Sequence, residues 1–98
     1  MVKQVVWTKR AIIRFDEIVN YLEDEVSEES ANKFVNNVYS LIDKLKKYPE
    51  IGRRSRRRKT VRQYRIDKYR KLYYRKYGKK LIIVYVFDDR WNPMTNPF

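Results

Sequence analysis

The sequence has no cysteine and no histidine. These absences exclude disulfides, thiolate and imidazole metal ligation, thiol nucleophiles and a histidine general base. Whatever chemistry the chain carries must run on Arg, Lys, Tyr, Asp or Glu, and neither a metal nor an organic cofactor is expected. No apolar run approaches the roughly 20 residues of a membrane span, and MVKQVVWTKR at the start lacks the long apolar stretch and small-residue cleavage site of a signal peptide. A soluble cytoplasmic protein without membrane contact is the expectation. At 98 residues a unit hides about two thirds of its unfolded surface, which leaves nothing for a second core. One domain spanning residues 1–98 follows as an expectation.

Negative charge is scarce, and its placement is informative. The net charge is +12. Residues 1–43 hold five basic and eight acidic side chains, residues 44–80 hold eighteen basic and two acidic, and residues 81–98 come to −1. The positive charge is therefore segregated onto one part of the chain. Solubility alone does not require such segregation, whereas attraction of a polyanion does, so nucleic acid and an acidic protein partner are the two kinds of target it points to.

Hydrophobic spacing divides the chain into elements. Val2 to Trp7 alternates as a short strand with both faces partly covered. Thr8 suits a helix N-cap, and Ile12, Phe15, Ile18, Val19, Leu22 and Val26 then recur at three- and four-residue spacing, giving a helix over about Lys9 to Glu25. Ser27 is a second N-cap followed by Glu28 and Glu29, and Ala31, Phe34, Val35, Val38, Leu41, Ile42 and Leu45 line a second helix that stops before Pro49. The short link makes an antiparallel helical hairpin.

Between Arg53 and Lys59, six of seven residues are basic, and like charges at that density predict a mobile loop without a regular element. Three strands follow, roughly Val61 to Ile66, Tyr69 to Lys76 and Leu81 to Phe87, joined by short connections at Asp67-Lys68 and Gly78-Lys79-Lys80. The last is an unbroken apolar run, as a central strand buried on both faces requires. The first strand is expected to pair beside it. The tail from Asp88 to Phe98 has no periodicity. The order β-α-α-β-β-β describes a two-layer α+β fold, with the helical hairpin packed on one face of a small, mainly antiparallel four-stranded sheet. Arg65, Arg70 and Arg90 are expected to define the uncovered face. Arg53, Arg54, Arg56, Arg57, Arg58, Lys59 and Arg62, together with Tyr73, form the candidate surface for nucleic acid or a partner protein.

This element order, the basic loop before the sheet, and the stretch YRIDKYRKLYYRKYGKKLIIVYVFDDRWNP together resemble the RelE/ParE superfamily of bacterial type II toxins. The resemblance rests on Tyr64-Arg65-Ile66, on Tyr69-Arg70-Lys71-Leu72-Tyr73, and on Phe87-Asp88-Asp89-Arg90 with the closing Trp91-Asn92-Pro93. It implies the toxin of a toxin–antitoxin (plasmid stabilisation) system, acting on messenger RNA at the ribosome or on DNA gyrase. It also implies a cognate antitoxin that neutralises the toxin in a hetero-oligomer. In the ribonuclease branch the activity is a metal-independent endoribonuclease. Carried over from that branch, Arg70 and Arg90 match the two sheet arginines that stabilise the phosphate in the transition state, and Arg65 matches a lysine. A second lysine position falls near Asp67, of the wrong sign, and WNPMTNPF after the last arginine holds no tyrosine to match the terminal one.

RNA cleavage by its own 2′-OH needs a proton acceptor, a proton donor and cationic groups aimed at the phosphorane. Arg70 and Arg90 fit the cationic role, because a guanidinium fork matches phosphate oxygens. No residue is singled out as the base. A gyrase-directed or degenerate toxin acting by binding alone, and a plain basic nucleic-acid-binding module, are the alternatives.

Overall fold

The computed structural model of the chain describes residues 2–98. Seven regular elements follow in order: β1 (Gln4–Trp7), α1 (Lys9–Glu25), α2 (Glu28–Lys47), β2 (Arg53–Arg54), β3 (Arg62–Arg65), β4 (Arg70–Tyr77) and β5 (Lys80–Asp88). A single 3₁₀ turn at Pro93–Thr95 closes the tail. All five strands belong to one sheet in the order β1-β5-β4-β3-β2. β1 runs parallel to β5, and the other pairings are antiparallel.

Both helices start where their caps dictate. The Thr8 hydroxyl accepts from the Ala11 N–H and donates to the Val84 carbonyl at 3.2 Å, so one side chain caps α1 and fastens it to β5. Ser27 accepts from the Ser30 N–H, and Lys44, Lys46 and Lys47 complement the negative end of α2. The two helices bury Ala11, Ile18 and Leu22 together with Phe34, Val38, Leu41 and Leu45 against Leu72, Tyr74, Leu81, Ile83 and Val86 of the sheet.

The opposite face is not bare. Tyr73, Tyr85, Phe87 and Val61 form a second cluster there, with Val84, Trp91 and Phe98 packed on it. The tail itself covers part of this face.

Two expectations need correction. The sheet has five strands, because Arg53 and Arg54 leave the predicted loop and pair with Gln63 and Arg62. The cause is Tyr74, fully buried, whose hydroxyl accepts from the Gly52 N–H at 2.9 Å and donates to the Pro49 carbonyl at 2.8 Å. That clamp draws residues 49–52 onto the sheet and offsets the repulsion within the arginine run. Arg70, expected on the uncovered face, points instead to the helices: it shares a face with Leu72, and its guanidinium lies over the Phe34 ring of α2 at 5.5 Å. Side chains alternate across a strand, so Arg70 follows Leu72 and Tyr74 into the helix layer.

Candidate functional site

Arg70, Asp88 and Arg90 come together where β4 begins and β5 ends. Arg70 is 7% exposed and Asp88 4%. The Arg70 Nε lies 3.1 Å from one Asp88 carboxylate oxygen, although off the line of a hydrogen bond, and a terminal nitrogen lies 3.3 Å from Asp67. Arg90 donates to the same Asp88 from Nε at 3.0 Å and from a terminal nitrogen at 2.7 Å, and its backbone N–H donates at 2.9 Å. Its guanidinium also lies over the Tyr69 ring at 4.7 Å.

Burial pushes the Asp88 carboxyl up, but the hydrogen bonds from Arg90 and the charges of Arg70 and Arg90 outweigh it, and the group is held below the ordinary carboxylate value. The hydrogen bond to Asp88 correspondingly raises Arg90. The cleft beside the cluster, about 340 Å³, is lined by Glu17, Ile18, Tyr21 and Trp91 as well as the three charged residues. Cations and anions balance there. Such a network fixes the ends of strands, and both arginines have their forks turned to protein carboxylates.

The other sequence candidates meet on the tail-covered face. Cross-strand pairing places Arg53 beside Gln63, Gln63 beside Tyr73, and Arg65 beside Lys71, so these residues share one surface. Two clefts open there. One, of about 530 Å³, is lined by Ile51, Arg53, Gln63, Tyr64, Arg65 and Lys71. The other, of about 470 Å³, is lined by Arg53, Arg54, Arg56 and Arg57 with Lys71, Tyr73, Asn96 and Phe98 among others. Among the described residues, no acidic side chain lines either cleft. Asp89 at their margin pairs with Arg65 at 2.5 Å and with Lys71 at 3.8 Å. Across the aromatic cluster, Arg10 of α1 lies over the Tyr85 ring at 5.5 Å.

Arg58 stacks over Phe98, and Arg62 is turned away to donate to the Glu50 and Gly52 carbonyls. Lys59 is exposed in the loop before β3. This surface offers guanidinium groups around flat aromatic rings, and it can take phosphate oxygens and planar bases. The sequence reading missed Lys71, Gln63 and Arg10 in it. Lys71 was legible as the residue alternating with Tyr73 on β4, whereas Arg10 reaches the sheet only through the packing of α1.

A family model described as the ParE toxin of the type II toxin–antitoxin system parDE matches residues 5–92. The chain belongs to the ParE toxin family. Solved structures agree on the fold of this ParE-family chain. A chain of the chromosomal ParDE toxin–antitoxin system from P. aeruginosa superposes with a TM-score of 0.75 at 22% identity, covering 90% of this chain and 96% of that one. A YoeB/ParE toxin from Agrobacterium tumefaciens gives 0.67 at 16% identity, covering 88% and 98%. No curated protein matches in sequence.

Membership makes the protein a type II toxin and implies an antitoxin partner. Among the described residues, no helix is long and apolar enough to cross a membrane, and no group of three or more His, Cys, Asp or Glu side chains is placed to hold a metal.

Proposed function

We propose that this ParE-family protein arrests growth by binding, in the manner of a gyrase inhibitor, and does not cut messenger RNA. The observation that carries this reading is the commitment of Arg70 and Arg90 to Asp88. Cationic groups that stabilise a phosphorane must be aimed at the reacting phosphate before it arrives. Here the Arg90 fork is bonded to the buried Asp88 and Arg70 lies between Asp88 and Asp67, and turning the two arginines away strands the buried carboxylate. Of the three arginines a ribonuclease site would use, Arg65 lies on the basic face beside Lys71.

In this reading the basic face, centred on Arg53, Arg56, Arg57 and Lys71, contacts nucleic acid at the target. The antitoxin neutralises the protein with an acidic or amphipathic segment, since the surplus of positive charge favours such a partner. Inducing the gene in bacteria, with and without the neighbouring antitoxin gene, and mapping RNA ends tests the proposal. Growth arrest without new RNA ends, reversed by the antitoxin, is expected, and purified protein should inhibit supercoiling by gyrase. Ribosome-dependent cuts that vanish in Arg90→Ala would refute it.

A further inference from the structure

We propose that the segment from Pro93 to Phe98 is a strap that occupies the basic face in place of a nucleic-acid strand and must peel back for that strand to bind. The inference rests on the reading of this face as a phosphodiester-binding surface and adds how access to it is controlled.

The strap engages the groups a nucleotide would use. Phe98 is stacked on Tyr73, with ring centroids 5.2 Å apart and planes inclined by 29°, and touches Tyr85 at 5.7 Å. The Arg58 guanidinium covers its ring. A planar side chain thus fills the place between an aromatic ring and a cation that suits a stacked base. The Ser55 hydroxyl donates to the main-chain oxygen of Phe98 at 2.7 Å, and Arg57 donates to the Asn96 carbonyl at 3.0 Å. The neutral Asn96 carbonyl oxygen sits where a phosphate oxygen would make a charge-assisted bond about twice as strong. Asn96 completes the fastening by donating from its side chain to the Tyr73 hydroxyl at 2.9 Å and accepting from the Phe98 N–H at 3.0 Å.

The strap is also built to leave as a unit. Its start is folded on itself, with Asn92 capping the Pro93–Thr95 turn by accepting from the Met94 N–H. The Trp91 ring on Phe87, edge to face at 5.6 Å, anchors the base of the strap. Beyond that anchor, its polar contacts with the sheet and the basic loop are the three hydrogen bonds from Ser55, from Arg57 and to Tyr73. Three hydrogen bonds and one ring stack are a modest barrier, which a strand with several phosphates can overcome.

The test uses the full chain and a fluorescein-labelled oligothymidylate of about eight nucleotides. Phe98→Ala and Asn96→Ala should each tighten binding by about three- to tenfold at low salt, the size of one aromatic pair or one hydrogen bond removed from the competitor. Urea unfolding of each variant checks that the fold is intact. In the unaltered chain, saturating oligonucleotide should speed hydrogen exchange at the Asn96 and Phe98 amides. If the unaltered chain binds, Arg53→Ala weakens that binding, and neither strap variant binds more tightly, the strap is overturned while the binding face stands. If neither the unaltered chain nor the strap variants bind in a salt-dependent way, both fall.

Discussion

Replacing Asp88 by Asn discriminates between a clamp and a catalytic cluster. Asp88 and Arg70 are both almost wholly buried, with side chains 6% and 8% exposed, and they lie 3.1 Å apart. Removing one partner of a buried pair costs about 3–5 kcal/mol, because the other charge is left without water or counter-charge. Asp67 still faces Arg70 at 3.3 Å, and the amide oxygen of Asn still accepts one bond, so the lower end applies: about 3 kcal/mol in urea unfolding, with an unchanged slope. Arg90→Ala removes a side chain that is 49% exposed. It should cost at most about 1 kcal/mol, as exposed ion pairs do. Arg70→Met combined with Asp88→Leu should recover much of the loss, since an apolar replacement of a buried pair is often close to neutral. A loss below about 1 kcal/mol for Asp88→Asn would show that Arg70 is not held by this carboxylate, and the argument against an aimed catalytic fork would fail with it.

The same carboxylate sets an acid response. Its folded value lies below its ordinary 3.8, so the unfolded chain binds the proton first; the stabilisation is present above about pH 4 and is lost as pH falls through the folded value. Acid titration by circular dichroism should show Asp88→Asn with a flatter profile below pH 4 than the unaltered chain. Tyr74→Phe deletes two hydrogen bonds and leaves the Gly52 N–H unpaired, a cost of about 2 kcal/mol in urea unfolding. Gly52→Ala should destabilise by about 1–3 kcal/mol for a different reason: a Cβ there falls 2.8 Å from Tyr74 Cε1 and 2.9 Å from the Gln63 carbonyl, so it crowds the clamp. On the basic face, Arg53→Ala should reduce the salt slope of single-strand binding by about 0.7, one phosphate contact.

How much of this the sequence disclosed depended on whether the signal was local. Helix limits were legible, because Thr8 and Ser27 cap by bonding their own first turns and Pro49 stops α2 from outside. The β4–β5 hairpin was legible for the same kind of reason: Gly78 takes a positive φ of 59° at the turn. β2 was not legible. Its pairing depends on Tyr74, more than twenty residues away, whose hydroxyl fixes the segment before it, and charge density alone argued for a loop. The tail was equally silent, since it has no periodicity and is held by single bonds to Ser55, Arg57 and Tyr73 from distant parts of the chain. Of the candidate site, the basic loop and Tyr73 were read from composition and alternation. For Arg70 and Arg90 the nearby Asp67, Asp88 and Asp89 offered pairing at strand ends as an alternative to a target contact, and the pairing with Asp67 and Asp88 is what the fold forms, on the helix side.

Arg70 follows Leu72 and Tyr74 on β4, whereas its meeting with Asp88 has a cause in β5 that bears on the function proposed. β5 is apolar at nearly every position, so its sequence hides which residues face the helices. The pairing runs Tyr74 with Ile83 and then Tyr73 with Tyr85, which leaves Val84 as an extra residue. Leu81 and Ile83 face the helix layer before this bulge; Val86 faces it afterwards, while Val84 and Tyr85 both turn to the tail side. An unbulged β5 would continue the alternation from Ile83 to Tyr85 and Phe87 toward the helices and set Asp88 on the open face. The single inserted position reverses this parity and brings Asp88 onto the same face as Arg70. The consequence extends to the opposite surface. With Asp88 withdrawn, Arg53, Arg65 and Lys71 keep only Asp89 at their margin, and a surface with so little counter-charge is suited to recruiting a polyanion. The bulge therefore divides the sheet into a neutralised, buried cluster on the helix side and an under-compensated cationic face on the other, and the second is the face for which the proposed strap and target would compete.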